Sequence, residues 1–157
     1  MTSLATRRAS PADVPAMARL RDASNWTGGA DETTMRRYLT GEHHPREALA
    51  PRVAFVAETD GMIVGFVAGH LTRRFARDGE LQWILVAPEQ RGTRTATRLL
   101  RALATWFVAH DAARVCVNVA PDNDVARRFY ARHGATDLSE HWMVWTDIAT
   151  AMRSVDR

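Results

Sequence analysis

The segment Glu80-Leu81-Gln82-Trp83-Ile84-Leu85-Val86 runs into Ala87-Pro88-Glu89-Gln90-Arg91-Gly92-Thr93-Arg94-Thr95-Ala96 and then Thr97-Arg98-Leu99-Leu100-Arg101-Ala102-Leu103. Its first part is apolar at Leu81, Trp83, Ile84, Leu85 and Val86, the pattern of a buried strand. From Ala96 the period lengthens to that of a helix, with Ala96, Leu99, Leu100, Leu103 and Phe107 on one face. Between them lies a turn, residues 90–95, carrying two arginines, one glycine and two threonines. A strand that turns sharply into a helix leaves several backbone N–H groups unpaired. The helix dipole adds partial positive charge beside them, so the turn is expected to hold a phosphate or pyrophosphate.

Two common phosphate loops are excluded. The chain contains no lysine, so GxxxxGK[ST] is absent, and no GxGxxG follows the strand. Downstream come an apolar strand at 114–119 and the segment 121–135, with Asn123, Ala126, Tyr130 and Gly134 at fixed spacing. Together the two stretches resemble the GNAT superfamily of N-acetyltransferases. Arg91-Gly92-Thr93-Arg94-Thr95-Ala96 is similar to the acetyl-CoA loop Q/R-x-x-G-x-G/A, with Arg94 in place of the central glycine. Asn123, Ala126, Tyr130 and Gly134 match N-x-x-A-x-x-x-Y-x-x-x-G, with Ala135 where the family usually has phenylalanine. The resemblance is specific over residues 80–135 and architectural before them.

Size and composition bound the rest. A chain of 157 residues is expected to form a single domain, 1–157, burying about two-thirds of its surface. Neither a signal peptide nor a bilayer-spanning run is visible, which gives a cytoplasmic, non-membrane expectation. The single cysteine, Cys116, lies in an apolar strand and reads as a packed thiol. Net charge is +3, and the basic residues, all arginine, are scattered among acids. A nucleic-acid binder would cluster them on one face with aromatics, so no nucleic acid is expected.

Taken in order, 4–9 reads as a short strand, and Ser10-Pro11-Ala12-Asp13 opens a helix running to Ser24. Residues 25–29 form a loop, 31–39 a second helix ended by Gly41, and Glu42-His43-His44-Pro45 a polar loop. Adjacent histidines without a second ligand cluster do not make a metal site, and none is expected. Two apolar runs, 52–58 and 62–71, flank Asp60-Gly61 and read as a hairpin. An arginine-rich turn leads to the strand at 80–86. After the strand at 114–119 come a helix over 123–133, capped by Asn123 or Asp122, and a closing hairpin over 135–148. This is an α/β chain of the α+β type: a mixed, mostly antiparallel sheet of about seven strands with about four helices. A crossover helix makes 80–86 and 114–119 parallel.

The resemblance implies more than the pattern does. In such folds that parallel pair splays apart, and acetyl-CoA inserts its pantetheine arm between the strands. Backbone of Leu85, Val86 and Ala87 would pair with the arm, and Arg91, Gly92, Thr93, Arg94, Thr95 and Ala96 would hold the pyrophosphate, with Asn123 on the same side. At Arg94 the helix opens, where an ordinary φ is expected to suffice, leaving the guanidinium to grip phosphate. Tyr130 matches the family's general acid, and a phenol is protonated at neutral pH. Glu80 is the favoured base, with Glu58 and His70 as alternatives on neighbouring strands. Trp26 either lines the acceptor site or anchors its loop. The implied activity is acetyl transfer from acetyl-CoA to a primary amine on a small molecule or peptide, with homodimerisation common among such folds. The alternative is a non-catalytic CoA-binding or sensing domain.

Overall fold

The computed structural model describes residues 3–24, 31–90 and 92–153. Within them seven strands form one sheet: β1 (Ala5–Arg8), β2 (Ala48–Thr59), β3 (Met62–Thr72), β4 (Gly79–Val86), β5 (Val115–Asn118), β6 (Thr136–Ser139) and β7 (Trp142–Trp145). Their order is β1-β2-β3-β4-β5-β7-β6, antiparallel at every junction except β4–β5. Helices α1 (Val14–Ala23), α2 (Glu32–Thr40), α3 (Thr95–Ala109) and α4 (Asp124–Arg132) match the sequence reading. A short α5 (Ala149–Arg153) was not foreseen. Strand β2 also starts earlier than its apolar run, because Ala48 and Leu49 pair with Thr72 and Leu71.

Local chemistry sets the boundaries. Asp13 accepts from the Ser10 backbone N–H at 2.8 Å, closing a capping box ahead of α1. The Asp31 carboxylate accepts from Thr34 N at 2.8 Å and caps α2, which Gly41 ends at φ 84°. Asp60 and Gly61 are both left-handed, as a two-residue hairpin turn requires. Asn123 caps α4, its side-chain oxygen accepting from Ala126 N at 3.2 Å.

Helix α3 lies across one sheet face because β3 and β4 present glycine there. Gly65, Gly69 and Gly79 meet Leu99, Leu103 and Phe107, and a Cβ on Gly79 would stand 2.4 Å from the Phe107 ring. Helices α1 and α2 pack on the opposite face, where Tyr38 lies 4.8 Å from Trp83, centroid to centroid.

Strand β4 carries the feature that positions everything else. Ala68 pairs with Trp83 and Gly69 with Leu81, so Gln82 is an extra residue, a β-bulge. Pairing with β5 covers only Gly79, Glu80 and Leu81, opposite Val115, Cys116 and Val117. Beyond Leu81, β4 keeps only its β3 partners, and β5 bends away as Val119 N donates to His141 O at 2.9 Å. The parallel pair therefore opens into a V, and its two inner backbone edges face a gap. Ile84, Leu85 and Val86 are only half-buried despite lying in the middle of a seven-stranded sheet.

Candidate active site

The mouth of the V is the end where both strands finish. Helix α3 starts just past β4 and α4 just past β5, so two helix N-termini, with their unpaired N–H groups, rise at the same end. The turn into α3 is tight. Thr93 N donates to Gln90 O at 3.2 Å, the Thr93 hydroxyl also reaches Gln90 O, and it lies 2.9 Å from the Thr95 hydroxyl. Gly92 has φ 82°, and Arg94 has φ 71°.

The Arg94 value corrects the expectation of an ordinary φ at the mouth of α3. The arginine occupies the left-handed conformation for which a glycine serves best, so it carries strain of about 1–2 kcal/mol. The backbone shape of a glycine turn is kept; the side chain is added to it. Gly92, Thr93 and Arg94 are exposed, Thr95 is buried and Ala96 half-buried. Arg91 and Trp26 lie outside the described residues. A cleft of about 470 Å³ beside this turn is lined by Leu4, Thr59, Asp60, Gln90, Thr93 and Thr95, on the hairpin side and away from Glu80.

One rung inside the apex of the V lies Glu80, only 5% exposed. Register places it between His70 on β3 and Cys116 on β5, and His70 in turn faces Arg52 on β2. These side chains share the sheet face covered by α2. Tyr38 Oη on α2 lies 2.9 Å from His70 Nδ1, and Arg74 Nε donates to Glu80 Oε1 at 2.9 Å. His70 Nε2 is 3.9 Å from the same oxygen, too far for a hydrogen bond.

Arg74 reaches Glu80 because of its turn. Phe75 and Ala76 both adopt positive φ, 55° and 56°, folding the β3–β4 connection back over the sheet. Arg74 then stacks 4.8 Å over Trp142, and Phe75 meets the same indole edge-on at 5.1 Å.

Burial sets the protonation states. It raises the Glu80 pKa, with the Arg74 hydrogen bond pulling the other way. Burial, then the charges of Arg52 and Arg74, pushes His70 down to about 3, so the imidazole is neutral. Burial likewise raises the Tyr38 phenol. A protonated phenol can donate to Nδ1 or accept from it; where it donates, the imidazole proton lies on Nε2. The Cys116 thiol, fully buried, is pushed up to about 12 by desolvation and by Glu80. It is a packed thiol, as expected.

Tyr130 sits on α4, 5% exposed, edge-on to Trp145 at 5.8 Å, with burial raising its pKa. Asn123 is exposed at the first turn of the same helix. Leu85 and Val86 line the open stretch of β4, and Ala87, buried, follows them. Sequence reasoning missed Tyr38, Arg74 and Trp142. Packing of α2 on the sheet, β-register and the path of a strained turn bring them to the Glu80 cluster, and none of these has a one-dimensional signal. Glu58, an alternative base, is engaged at 3.2 Å by Arg7 at the β1 edge, away from this cluster.

Among the described residues no group of three or more His, Cys, Asp or Glu could hold a metal ion, and no helix is long and apolar enough to cross a membrane.

Comparison with known proteins agrees with this architecture. PaiA N-acetyltransferase from Thermoplasma acidophilum, solved in complex with coenzyme A, superposes with a TM-score of 0.71 at 17% identity, covering 91% of this chain and 98% of that one. Ard1 from Thermoplasma volcanium superposes with a TM-score of 0.74 at 19% identity, covering 90% and 95%. At such identities these likenesses concern the fold. An uncharacterized N-acetyltransferase of Mycobacterium tuberculosis is 31% identical over 134 residues, 85% of this chain and 80% of its own length. L-2,4-diaminobutyric acid acetyltransferase of Nocardia farcinica is 34% identical over 82 residues, but the match spans only 42% of that protein's length. The profile of the acetyltransferase (GNAT) family matches residues 19–135. A splayed parallel pair, a glycine-shaped turn opening α3 and a family match across most of the chain lead to one assignment: this chain belongs to the acetyltransferase (GNAT) family.

Proposed function

We propose that the chain transfers an acetyl group from acetyl-CoA directly to a primary amine. The observation that carries this reading is the V between β4 and β5, with a buried carboxylate, Glu80, one rung inside its apex. The inner edge of β4 from Gln82 to Val86 has N–H and C=O groups free of a strand partner. Leu85, Val86 and Ala87 would pair there with the pantetheine arm of the substrate. Arg91, Gly92, Thr93, Arg94, Thr95 and Ala96 would hold its pyrophosphate, through N–H groups and the positive end of α3, with Asn123 beside them.

Glu80 is placed as base. A carboxylate raised by burial is a better proton acceptor than a solvated one, while Arg74 fixes its orientation. It takes the proton lost by the amine as the new N–C bond forms and the thioester C–S bond breaks. Tyr130 is placed as acid, its phenol protonated and ready to donate to the departing sulfur. Backbone N–H near Val86 would stabilise charge on the acetyl oxygen. Trp26 we assign to the acceptor side.

The test is thiol release from acetyl-CoA with a panel of amines, alongside calorimetry of acetyl-CoA binding. Absence of binding overturns the reading. A second reading, a CoA-sensing domain without turnover, draws on Arg94 in the loop, and binding without acetylation of any amine would establish it. The location in the cell, proposed as cytoplasmic, and assembly as a homodimer are separate questions that fractionation and light scattering answer.

A further inference from the structure

Three buried polar atoms around Glu80 have no hydrogen-bonding partner among the described residues: His70 Nε2, Arg77 Nε and Gln82 Oε1. Burying such a group unpaired costs the protein its lost hydration, more for a charged group than a neutral one. Proteins rarely keep several together unless something else satisfies them. They are also grouped. His70 is the β3 register partner of Glu80, Gln82 is the bulged residue two places along β4, and Arg77 ends the turn that brings Arg74 onto Glu80.

Their polarity differs in an informative way. With Tyr38 as the donor to Nδ1, His70 Nε2 carries the imidazole proton and is itself a donor. Arg77 Nε is a donor with a full charge, and Gln82 Oε1 is an acceptor. The acid adjacent to Arg77 does not answer it. Asp78 accepts from Ala113 N and Arg114 N and pairs with the Arg114 guanidinium at 3.0 Å. Around the β3–β4 turn, Arg52, Arg73, Arg74 and Arg77 stand against Glu47 and Glu80, a surplus of two positive charges. Arg77 is near enough for its charge to act on the Cys116 thiol, the β5 partner of Glu80.

An acceptor carrying only amines would leave both donors unanswered and meet net positive charge. One that also carries a carboxylate would answer them, while its amine hydrogens find Gln82 Oε1 and Glu80. We propose that the acceptor is a small amine bearing a carboxylate, an amino-acid-type substrate, with Arg77 and His70 holding the carboxylate and Gln82 orienting the amine beside Glu80. This deepens the acetyl-transfer reading and rests on it.

The test uses matched pairs that differ by the carboxylate alone: alanine and ethylamine, 2,4-diaminobutyrate and 1,3-diaminopropane, lysine and 1,5-diaminopentane. With saturating acetyl-CoA, kcat/KM is expected to favour the carboxylate-bearing member of at least one pair. Arg77→Gln should lower that preference about 10- to 100-fold, mainly through KM, as loss of a charged hydrogen bond does. Arg77→Lys, which keeps the charge but not the planar donor, should fall between. Equal or better turnover of every decarboxylated amine overturns the proposal, as does an unchanged preference in Arg77→Gln. A tripeptide amide accepted as well as the free amino acid also overturns it, since its N-terminal residue offers a carbonyl but no carboxylate. If no amine is acetylated, calorimetry of the same amino acids on CoA-loaded protein separates the two readings. Binding weakened by Arg77→Gln upholds this site and sinks acetyl transfer, whereas no binding sinks the site.

Discussion

Glu80 and Cys116 face each other on the middle of the three rungs that join β4 to β5, and both side chains are buried. A carboxylate one rung short of the last closed point of an opening sheet is shielded from water yet close to the gap. Its burial is what raises its pKa, and Arg74 keeps that rise in check. Glu80→Gln keeps the shape and the Arg74 contact but cannot take a proton. We expect kcat to fall about 10²-fold while acetyl-CoA affinity stays the same, measured by thiol release and calorimetry. An unaltered kcat would move the base elsewhere.

The neutral His70 should be visible in stability. Its folded pKa, about 3, lies below the unfolded value near 6.5, so between those values the unfolded chain binds the extra proton. The contribution is complete above pH 6.5 and is lost on acidification, at up to about 1.4 kcal/mol per pH unit. The raised Glu80 slopes the opposite way, so the comparison is with His70→Gln. Urea titrations from pH 6.5 to 4.5, above the range of the lowered aspartates, should give a shallower decline in that variant.

Tyr130 packs its ring against Trp145, a contact that phenylalanine retains. Tyr130→Phe should leave the melting temperature near that of the parent and lower kcat about 10²-fold, with acetyl-CoA affinity preserved. A normal turnover rate in this variant would remove the phenol from the reaction.

Arg94→Gly separates the two consequences of an arginine in a left-handed position. Relief of about 1–2 kcal/mol of strain offsets or outweighs the entropic cost of a glycine, about 0.5–1 kcal/mol, so stability should rise by no more than about 1.5 kcal/mol. Acetyl-CoA should bind several-fold more weakly once the guanidinium is gone. Tighter binding in the variant would mean that the arginine obstructs the phosphate.

Gly79→Ala would place a methyl 2.4 Å from the Phe107 ring, where α3 rests on β4. A stability loss of about 1–3 kcal/mol is expected from denaturant titration, as for overpacked cores.

Much of this arrangement was legible from residue order. The change of period at Ala96, the Asp60-Gly61 turn and the cap at Asn123 are local signals, and the elements they mark are present. The parallel pair followed from the crossover helix, and Glu80 could be singled out by its place on the central strand. What surrounds Glu80 could not be. Tyr38 is more than forty residues away and meets His70 only because α2 packs on the sheet, and His70 stands beside Glu80 only through a β3–β4 register that the Gln82 bulge interrupts. Arg74 reaches its carboxylate through two left-handed non-glycine residues, a path that no propensity favours. The positive φ of Arg94 went unread for another reason: it belongs to a position where the resembling loop has glycine, and an arginine there gives no conformational signal of its own.

Among the described residues three rungs are all the strand pairing between the first four strands and the last three, with α3 bridging them by packing on β2 and β3 and also on α5. A guest wedged beyond the third rung would thus displace no bond of the protein's own. It would complete a seam that the chain leaves unsewn, and the two halves would be stitched to each other through it.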